Sequence, residues 1–188
     1  MDFIEEKTFA KQNFVTTPLP IAEYDNCNFT GCNFENTSLK SVVFTDCTFT
    51  DCNLGNANIY TTAFKNVVFK NCKLLGLDFS KAEPFLFEVG FEGCQMQLVS
   101  FYQLKLKKTL FANCLLQDAD FSEADLTSAV FKECDLSKAI FDNTILEKTD
   151  FRTARNFAID PERNRIKKAK FSKESLQGLL YKYDIEIE

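Results

Sequence analysis

The sequence has eight cysteines and no histidine, so thiols and carboxylates are the groups on which any chemistry would depend. Six of the cysteines form two runs with an interval of twenty residues: Cys32, Cys52, Cys72 and Cys94, Cys114, Cys134. No two cysteines have the CxxC spacing of a zinc or redox site. A small residue that returns at a fixed interval is typical of a buried structural position. We therefore expect buried, reduced thiols on one face rather than a disulfide framework.

The motifs of known catalytic and nucleotide-binding sites are missing from this sequence. Histidine is the commonest general base and metal ligand, and neither GxGxxG nor GxxxxGKS/T occurs. Carboxylates on an extended outer surface would have no pocket to desolvate them. We predict no catalytic residue, no metal site and no cofactor, and a protein that is not an enzyme.

A repeat of five residues positions the cysteines. From Ala22 the blocks are AEYDN CNFTG CNFEN TSLKS VVFTD CTFTD CNLGN ANIYT TAFKN VVFKN CKLLG LDFSK. The third residue of every block is Tyr, Phe, Leu or Ile, and the first is small or apolar. Neither a helix nor a strand keeps every fifth residue buried, so the chain must turn by the same amount once per block. Because the cysteines return every four blocks, the pattern predicts a solenoid with four sides.

Two columns of large apolar residues follow from this register. The first contains Phe29, Phe49 and Phe69 and resumes, after a slip of two residues near Pro84, as Phe91, Phe111, Phe131 and Phe151. The second contains Leu39, Ile59, Phe79, Phe101, Phe121 and Phe141. We expect both columns to point into a hydrophobic tube.

Blocks such as ADFSE, ADLTS, CDLSK and CNFEN resemble the pentapeptide repeat proteins, whose pattern is roughly A(D/N)Lxx. The resemblance implies an all-β solenoid, a right-handed quadrilateral β-helix, in which the central residue and the small residue before it point inward. We expect an N-terminal cap or irregular first coil over residues 1–21 and the β-helix over 22–152. A break, interpreted as a small bulge or hinge, is expected at 80–90. An irregular segment with a short C-terminal α-helix and a short strand is expected over 153–188.

The C-terminal tail has an apolar stripe at i, i+3, i+4 and i+7, formed by Leu176, Leu179, Leu180 and Tyr183. Ile185 and Ile187 then alternate with acidic residues, as in a strand. Such a helix can plug the end of its own tube or contact a second copy. We favour a homodimer through these six residues, since a two-fold contact is the commonest oligomer.

Acidic residues fall into two groups in the second half of the repeat. Asp120, Asp125, Asp135 and Asp150 occupy the second position of the block, where the family pattern requires Asp or Asn whatever the function. Five others occupy free outward positions and are the candidate partner-binding residues: Asp118, Glu123, Glu133, Asp142 and Glu147. A merely solvated acidic face is the alternative explanation.

Loopless members of the family give the most specific resemblance, because the Qnr-type quinolone-resistance proteins and related immunity proteins have a similar tail. That resemblance implies a tail-to-tail dimer whose acidic surface mimics DNA and engages DNA gyrase or topoisomerase IV. The net charge of −5 is mild for such a mimic. A scaffold or adaptor with an unknown protein partner is the alternative. With no apolar run of about eighteen residues and no leader, we expect a cytoplasmic protein that contacts neither membrane nor nucleic acid directly.

Overall fold

The computed structural model describes residues 1–183 and 185–186 as a parallel β-helix. Its strands are β1 (Asp2–Glu5), β2 (Thr8–Ala10), β3 (Ala22–Asp25), β4 (Asn28–Thr30), β5 (Val43–Thr45), β6 (Thr48–Thr50), β7 (Ala63–Lys65), β8 (Val67–Lys70), β9 (Val89–Glu92), β10 (Leu110–Ala112) and β11 (Val130–Lys132). Three short 3₁₀ helices cover Phe79–Lys81, Lys173–Leu179 and Tyr181–Tyr183. The predicted all-β solenoid is confirmed.

The tube has four sides, which we number in chain order. The first side carries the sheet β1-β3-β5-β7 and the second carries the sheet β11-β10-β9-β8-β6-β4-β2. The third and fourth sides are joined by single parallel bridges, such as Asn33 to Asn53 and Asp78 to Ser100. Single bridges also continue the first side from Lys105 through Asp125 and Ile145 to Arg165. Residues three before a corner thus meet their equivalents one turn later.

Stacked phenylalanines fill the tube along the second side. The stacked ring centroids of successive turns lie 4.7 to 5.5 Å apart. The column comprises Phe9, Phe29, Phe49, Phe69, Phe91, Phe111, Phe131, Phe151 and Phe171. On the fourth side Phe79, Phe101, Phe121 and Phe141 stack in the same way. Both columns expected from the sequence therefore point inward.

All eight cysteines are free and buried, as the register predicts. Several thiols donate a hydrogen bond to a main-chain carbonyl of the previous turn. The Sγ atom of Cys52 lies 3.3 Å from the carbonyl oxygen of Phe29, and that of Cys134 lies 3.3 Å from the carbonyl oxygen of Phe111. Desolvation by burial raises the pKa of the Cys47 thiol to about 12. This thiol is therefore a structural group, held in its unreactive neutral form.

Each corner depends on one residue with left-handed backbone. The fifth residue of almost every block has a φ near +55°, for example +56° at Asp118 and +54° at Glu133. The side chain three residues earlier supports the corner, because its oxygen accepts the N–H two residues further along. Asp120 accepts from Ser122 at 2.9 Å and Asp125 accepts from Thr127 at 3.1 Å. The family's Asp or Asn is therefore a turn residue.

The break between residues 80 and 90 is a bulge on the first side. Ala63 is bridged to Glu83 and Val67 pairs with Val89, so the three residues between these positions in one turn face five in the next. The two additional residues leave Phe85 68% and Leu86 62% exposed. Parallel pairing resumes at once on the second side.

The ladder extends beyond the interval 22–152 at both ends. Strands β1 and β2 pair in register with β3 and β4, and single bridges join Ile145 to Arg165 and Asp150 to Lys170. The expected C-terminal α-helix is wrong, because residues 173–179 form a 3₁₀ helix. Its tighter winding lets Gly178 lie against Phe157, where a Cβ would come within 2.4 Å of the Phe157 carbonyl oxygen. Ile185 lies outside any strand, and Ile187 lies outside the described residues.

We predict that Phe111→Ala lowers the free energy of unfolding by about 3–5 kcal/mol, since its neighbours are held by the ladder and cannot close the cavity. Phe111 stacks on Phe91 at 5.3 Å and on Phe131 at 4.8 Å. Urea denaturation followed by circular dichroism measures the loss. The exposed Lys132→Ala, one position from the same column, should change stability by less than about 0.5 kcal/mol. Equal effects of the two substitutions would contradict this register.

Candidate protein-interaction surface

The five candidate acids surround the tube rather than forming one face. Glu133 is the corner residue after the second side, Asp118 the one after the third and Glu123 the one after the fourth. Asp142 lies on the fourth side and Glu147 on the first. The structure therefore brings only Glu123 and Asp142 together, where the Glu123 N–H donates to the Asp142 carbonyl oxygen at 2.8 Å.

Corner residues present their carboxylates from a fixed backbone. Asp118, Glu123 and Glu133 have φ values of +56°, +57° and +54° and are exposed. None of the three forms an ion pair with another described residue. Glu123 is held further, because its carboxylate accepts from the hydroxyl of Tyr102 at 3.1 Å and from Nε2 of Gln103 at 2.8 Å. These three acids are available to a partner.

The other two candidates are neutralised within the chain. Asp142 lies 2.7 Å from the guanidinium of Arg163, and Glu147 lies 3.3 Å from that of Arg165. Both arginines come from the segment after residue 152, which the sequence analysis treated as irregular. Continuing the interval of twenty past residue 152 would have placed Arg163 and Arg165 beside these acids.

Asp135 shows how strongly a turn carboxylate can be held. Its oxygens accept from the N–H and hydroxyl of Ser137 at 3.0 and 2.6 Å, from Asn156 at 3.0 Å and from Gln117 at 2.7 Å. Desolvation by burial pushes the pKa of Asp135 upward, but these hydrogen bonds outweigh it and lower the pKa to about 2. The ionised carboxylate of Asp135 thus contributes to the stability of the fold.

The tail closes the end of its own tube. The Ile159 N–H donates to the Gly178 carbonyl oxygen at 2.9 Å, and Leu179 packs against the core. Nζ of Lys182 bonds Asp160 at 2.8 Å and Glu162 at 2.7 Å. These contacts raise the pKa of Lys182 and lower that of Asp160. The tail therefore acts as an end cap.

Several side chains of the expected dimer contact remain outside this cap. Leu176, Leu180, Tyr183 and Ile185 are exposed, Leu176 to 44% and Leu180 to 36%. Leu179 already packs against the core of its own chain. The contact between two tails stays a prediction that depends on the exposed side chains.

The surface of the described residues carries several grooves. A groove of about 610 Å³ lies beside the bulge, lined among others by Leu86, Phe87, Gly90, Lys105 and Leu110. Among residues 1–183 and 185–186, no three Cys, Asp or Glu side chains are arranged to hold a metal ion. Within the same residues, no helix has the length and apolar character needed to cross a membrane. The outer surface is thus the part of the molecule suited to contact a partner.

A family model described as a pentapeptide repeat region matches residues 17–83, 42–120 and 84–156. The chain belongs to the pentapeptide repeat family. The matched residues include all eight cysteines and the two phenylalanine columns apart from Phe9 and Phe171. A search of curated protein sequences finds no match.

Solved structures of pentapeptide repeat proteins share this fold. One trypsin-treated variant of QnrB1, a plasmid-mediated fluoroquinolone resistance protein, has a TM-score of 0.62 and 13% identity, over 100% of this chain and 98% of that one. A second such variant has a TM-score of 0.52 and 18% identity, over 100% and 92%. HetL of the cyanobacterium Nostoc, involved in heterocyst differentiation regulation, has a TM-score of 0.48 and 14% identity, over 91% and 86%. At these identities the QnrB1 likeness establishes the fold.

We predict that the charge of Asp135 stabilises the fold above about pH 4 and that this contribution is lost as the pH falls toward 2. The sign follows because the pKa is lowered from 3.8 to about 2 in the folded chain. Asp135→Asn should lower the stability at pH 7 by about 1 kcal/mol and weaken its pH dependence below pH 4. Thermal unfolding from pH 2 to 7 measures both. Asp118→Asn, at an exposed corner, is the control, and an equal effect there would contradict the role of the Asp135 hydrogen bonds.

We predict that Leu180→Asp abolishes a tail-to-tail dimer, since the contact would then bury an unpaired carboxylate. Light scattering at equal concentrations compares the variant with the native chain. Leu75→Asp, an exposed leucine on the third side, is the matched control. A dimer that survives Leu180→Asp would leave the tail as an end cap only.

Proposed function

We propose that this chain is a non-enzymatic, cytoplasmic binding protein that docks on a type II topoisomerase, DNA gyrase or topoisomerase IV, and protects it from quinolones or related poisons. The observation that carries the proposal is the set of three unpaired carboxylates, Asp118, Glu123 and Glu133, on fixed corner backbone. Carboxylates held in position on a rod can take the place of DNA phosphates opposite a basic groove. The fold shared with QnrB1, a fluoroquinolone resistance protein, supports this choice of partner.

A scaffold or adaptor with another protein partner is the second candidate. Two observations favour it: the acids lie on different sides of the tube, and Arg163 and Arg165 neutralise Asp142 and Glu147. A surface that mimics DNA requires unpaired negative charge on the side that contacts the enzyme. The two candidate functions therefore differ in whether Asp118, Glu123 and Glu133 alone are sufficient to bind a topoisomerase.

We predict that the protein binds purified gyrase at low salt and that the affinity falls as salt rises, because the attraction is screened. Changing Asp118, Glu123 and Glu133 to Lys should weaken binding by at least about tenfold, or about 1.4 kcal/mol. Equilibrium binding and a supercoiling assay with and without a quinolone measure the effect. Folding should be unchanged, since all three side chains point outward.

The matched control changes three exposed acids elsewhere to Lys: Glu35, Asp51 and Glu92. Its net charge equals that of the first variant, so equal weakening by both would show that only total charge matters. If the native chain neither binds gyrase or topoisomerase IV nor alters their activity, the topoisomerase proposal fails and the adaptor explanation remains.

A further inference from the structure

The first side of the tube is acidic in its N-terminal half. Strands β1, β3, β5 and β7, with the corner residue after each, carry six carboxylates: Asp2, Glu5, Glu6, Glu23, Asp25 and Asp46. Lys65 is the one cation at these positions. None of the six carboxylates forms an ion pair with any other described residue. A concentration of unpaired charge on one side needs a physical explanation, because it opposes folding.

The same side is basic in its C-terminal half. It carries Lys105, Lys107, Lys108, Lys148, Arg165, Lys167 and Lys168 against only Asp125 and Glu147. Both acids are already paired, Asp125 with Lys107 at 3.1 Å and Glu147 with Arg165 at 3.3 Å. Five lysines therefore remain without a carboxylate among the described residues: Lys105, Lys108, Lys148, Lys167 and Lys168.

Like charges within each half are neighbours across turns. Glu5 and Asp25 are partners in the register of β1 and β3. The Lys148 N–H donates to the Lys167 carbonyl oxygen at 3.0 Å, which places Lys148 and Lys168 at successive corners of one column. Like charges on neighbouring strands are destabilising. Each half of the side would be stabilised by a surface of the opposite sign.

The boundary between the two halves combines exposed apolar side chains with Glu83 and Glu88. The bulge lies between Glu83 and Val89, after the acidic strands and before Lys105, and exposes Phe85 and Leu86. Beside it is the groove that Leu86, Phe87, Lys105 and Leu110 line. Gly90 lines this groove, and a Cβ added there would meet no atom within 4 Å, so the groove is open at this residue. An apolar centre flanked by charge is typical of a protein contact.

We propose that the first side binds the first side of a second copy of this chain, with the two rods antiparallel. A two-fold axis near the bulge then sets the acidic strands β1 and β3 of each copy against the basic turns of the other copy that contain Lys148 and Lys168, and brings Phe85 and Leu86 of both copies together. Parallel rods in register would instead set acid against acid. A staggered parallel arrangement would leave the bulge uncovered and would produce an open filament rather than a closed dimer. This contact uses no tail residue and is independent of the proposed topoisomerase partner.

A charge-exchange experiment tests the proposal. The first variant changes Glu5, Asp25 and Asp46 to Lys and makes the net charge of the acidic half positive. The second changes Lys108, Lys148 and Lys168 to Glu and makes the net charge of the basic half negative. We expect the native chain to dimerise at low salt and to dissociate as salt rises. Each variant alone should bind itself at least about tenfold more weakly, and an equimolar mixture of the two should restore the dimer.

Sedimentation velocity of the full chain, with one variant fluorescently labelled, measures the three combinations. Three controls accompany this measurement. Circular dichroism tests folding, Leu180→Asp tests the contribution of the tail, and a variant with Glu35, Asp51 and Asp118 changed to Lys tests the effect of total charge. Circular dichroism should show that every variant is folded. Leu180→Asp lies in the tail and the residues of the third control lie away from the first side, so both should leave this contact unchanged. The proposal is overturned if the native chain stays monomeric at low salt, if the mixture fails to associate, if the third control dissociates equally, or if the Leu180→Asp variant, which lacks a tail contact, associates without a limiting dimer.

Discussion

Main-chain hydrogen bonds between successive turns impose the constraint on which the structure depends. The Leu54 N–H donates to the Lys73 carbonyl oxygen at 2.8 Å, and the Phe131 N–H donates to that of Asp150 at 2.9 Å. This ladder sets the spacing of turns near 4.8 Å, so stacked residues must suit that distance. Phenylalanine rings stack well at this spacing, and the small cysteine side chain fits the narrower parts of the tube. A residue of another size at an inward position would strain the bonds of two neighbouring turns at once.

The sequence predicted the interior well, because each inward residue is determined by a local period. The phenylalanine columns and the cysteines needed only an interval of twenty and one slip of two residues near Pro84. The last turn was missed because its inward residues depart from that pattern. Asn164 is buried there, and it donates to the Phe141 carbonyl oxygen at 2.9 Å and accepts from the Thr144 N–H at 2.9 Å. A polar residue satisfied by the main chain of the preceding turn has no signature in an apolar period.

The tail and the outer acids could not be predicted for a different reason. An apolar stripe at i, i+3 and i+4 fits an α-helix, but the tight approach of Gly178 to Phe157 requires the narrower 3₁₀ winding. That contact joins residues distant in sequence, so local spacing does not reveal it. The pairing of Asp142 with Arg163 is likewise a contact between turns. Outward positions tolerate any polar residue, so the sequence indicates which acids face outward but not which of them already have a cation.

A tube with four sides can serve two partners when each partner has its own side. The proposed contact with a second copy uses the first side, and the third side lies opposite it across the tube. Glu133 and Asp118 are the corner residues that border the third side, so a dimer formed through the first side leaves both exposed. The ladder and the columns supply enough stability to offset the repulsion between like charges on one side. The charge pattern of each side can therefore suit a different partner. Glu123, at the corner between the fourth and first sides, borders the dimer contact, so the two proposed contacts are compatible through Glu133 and Asp118.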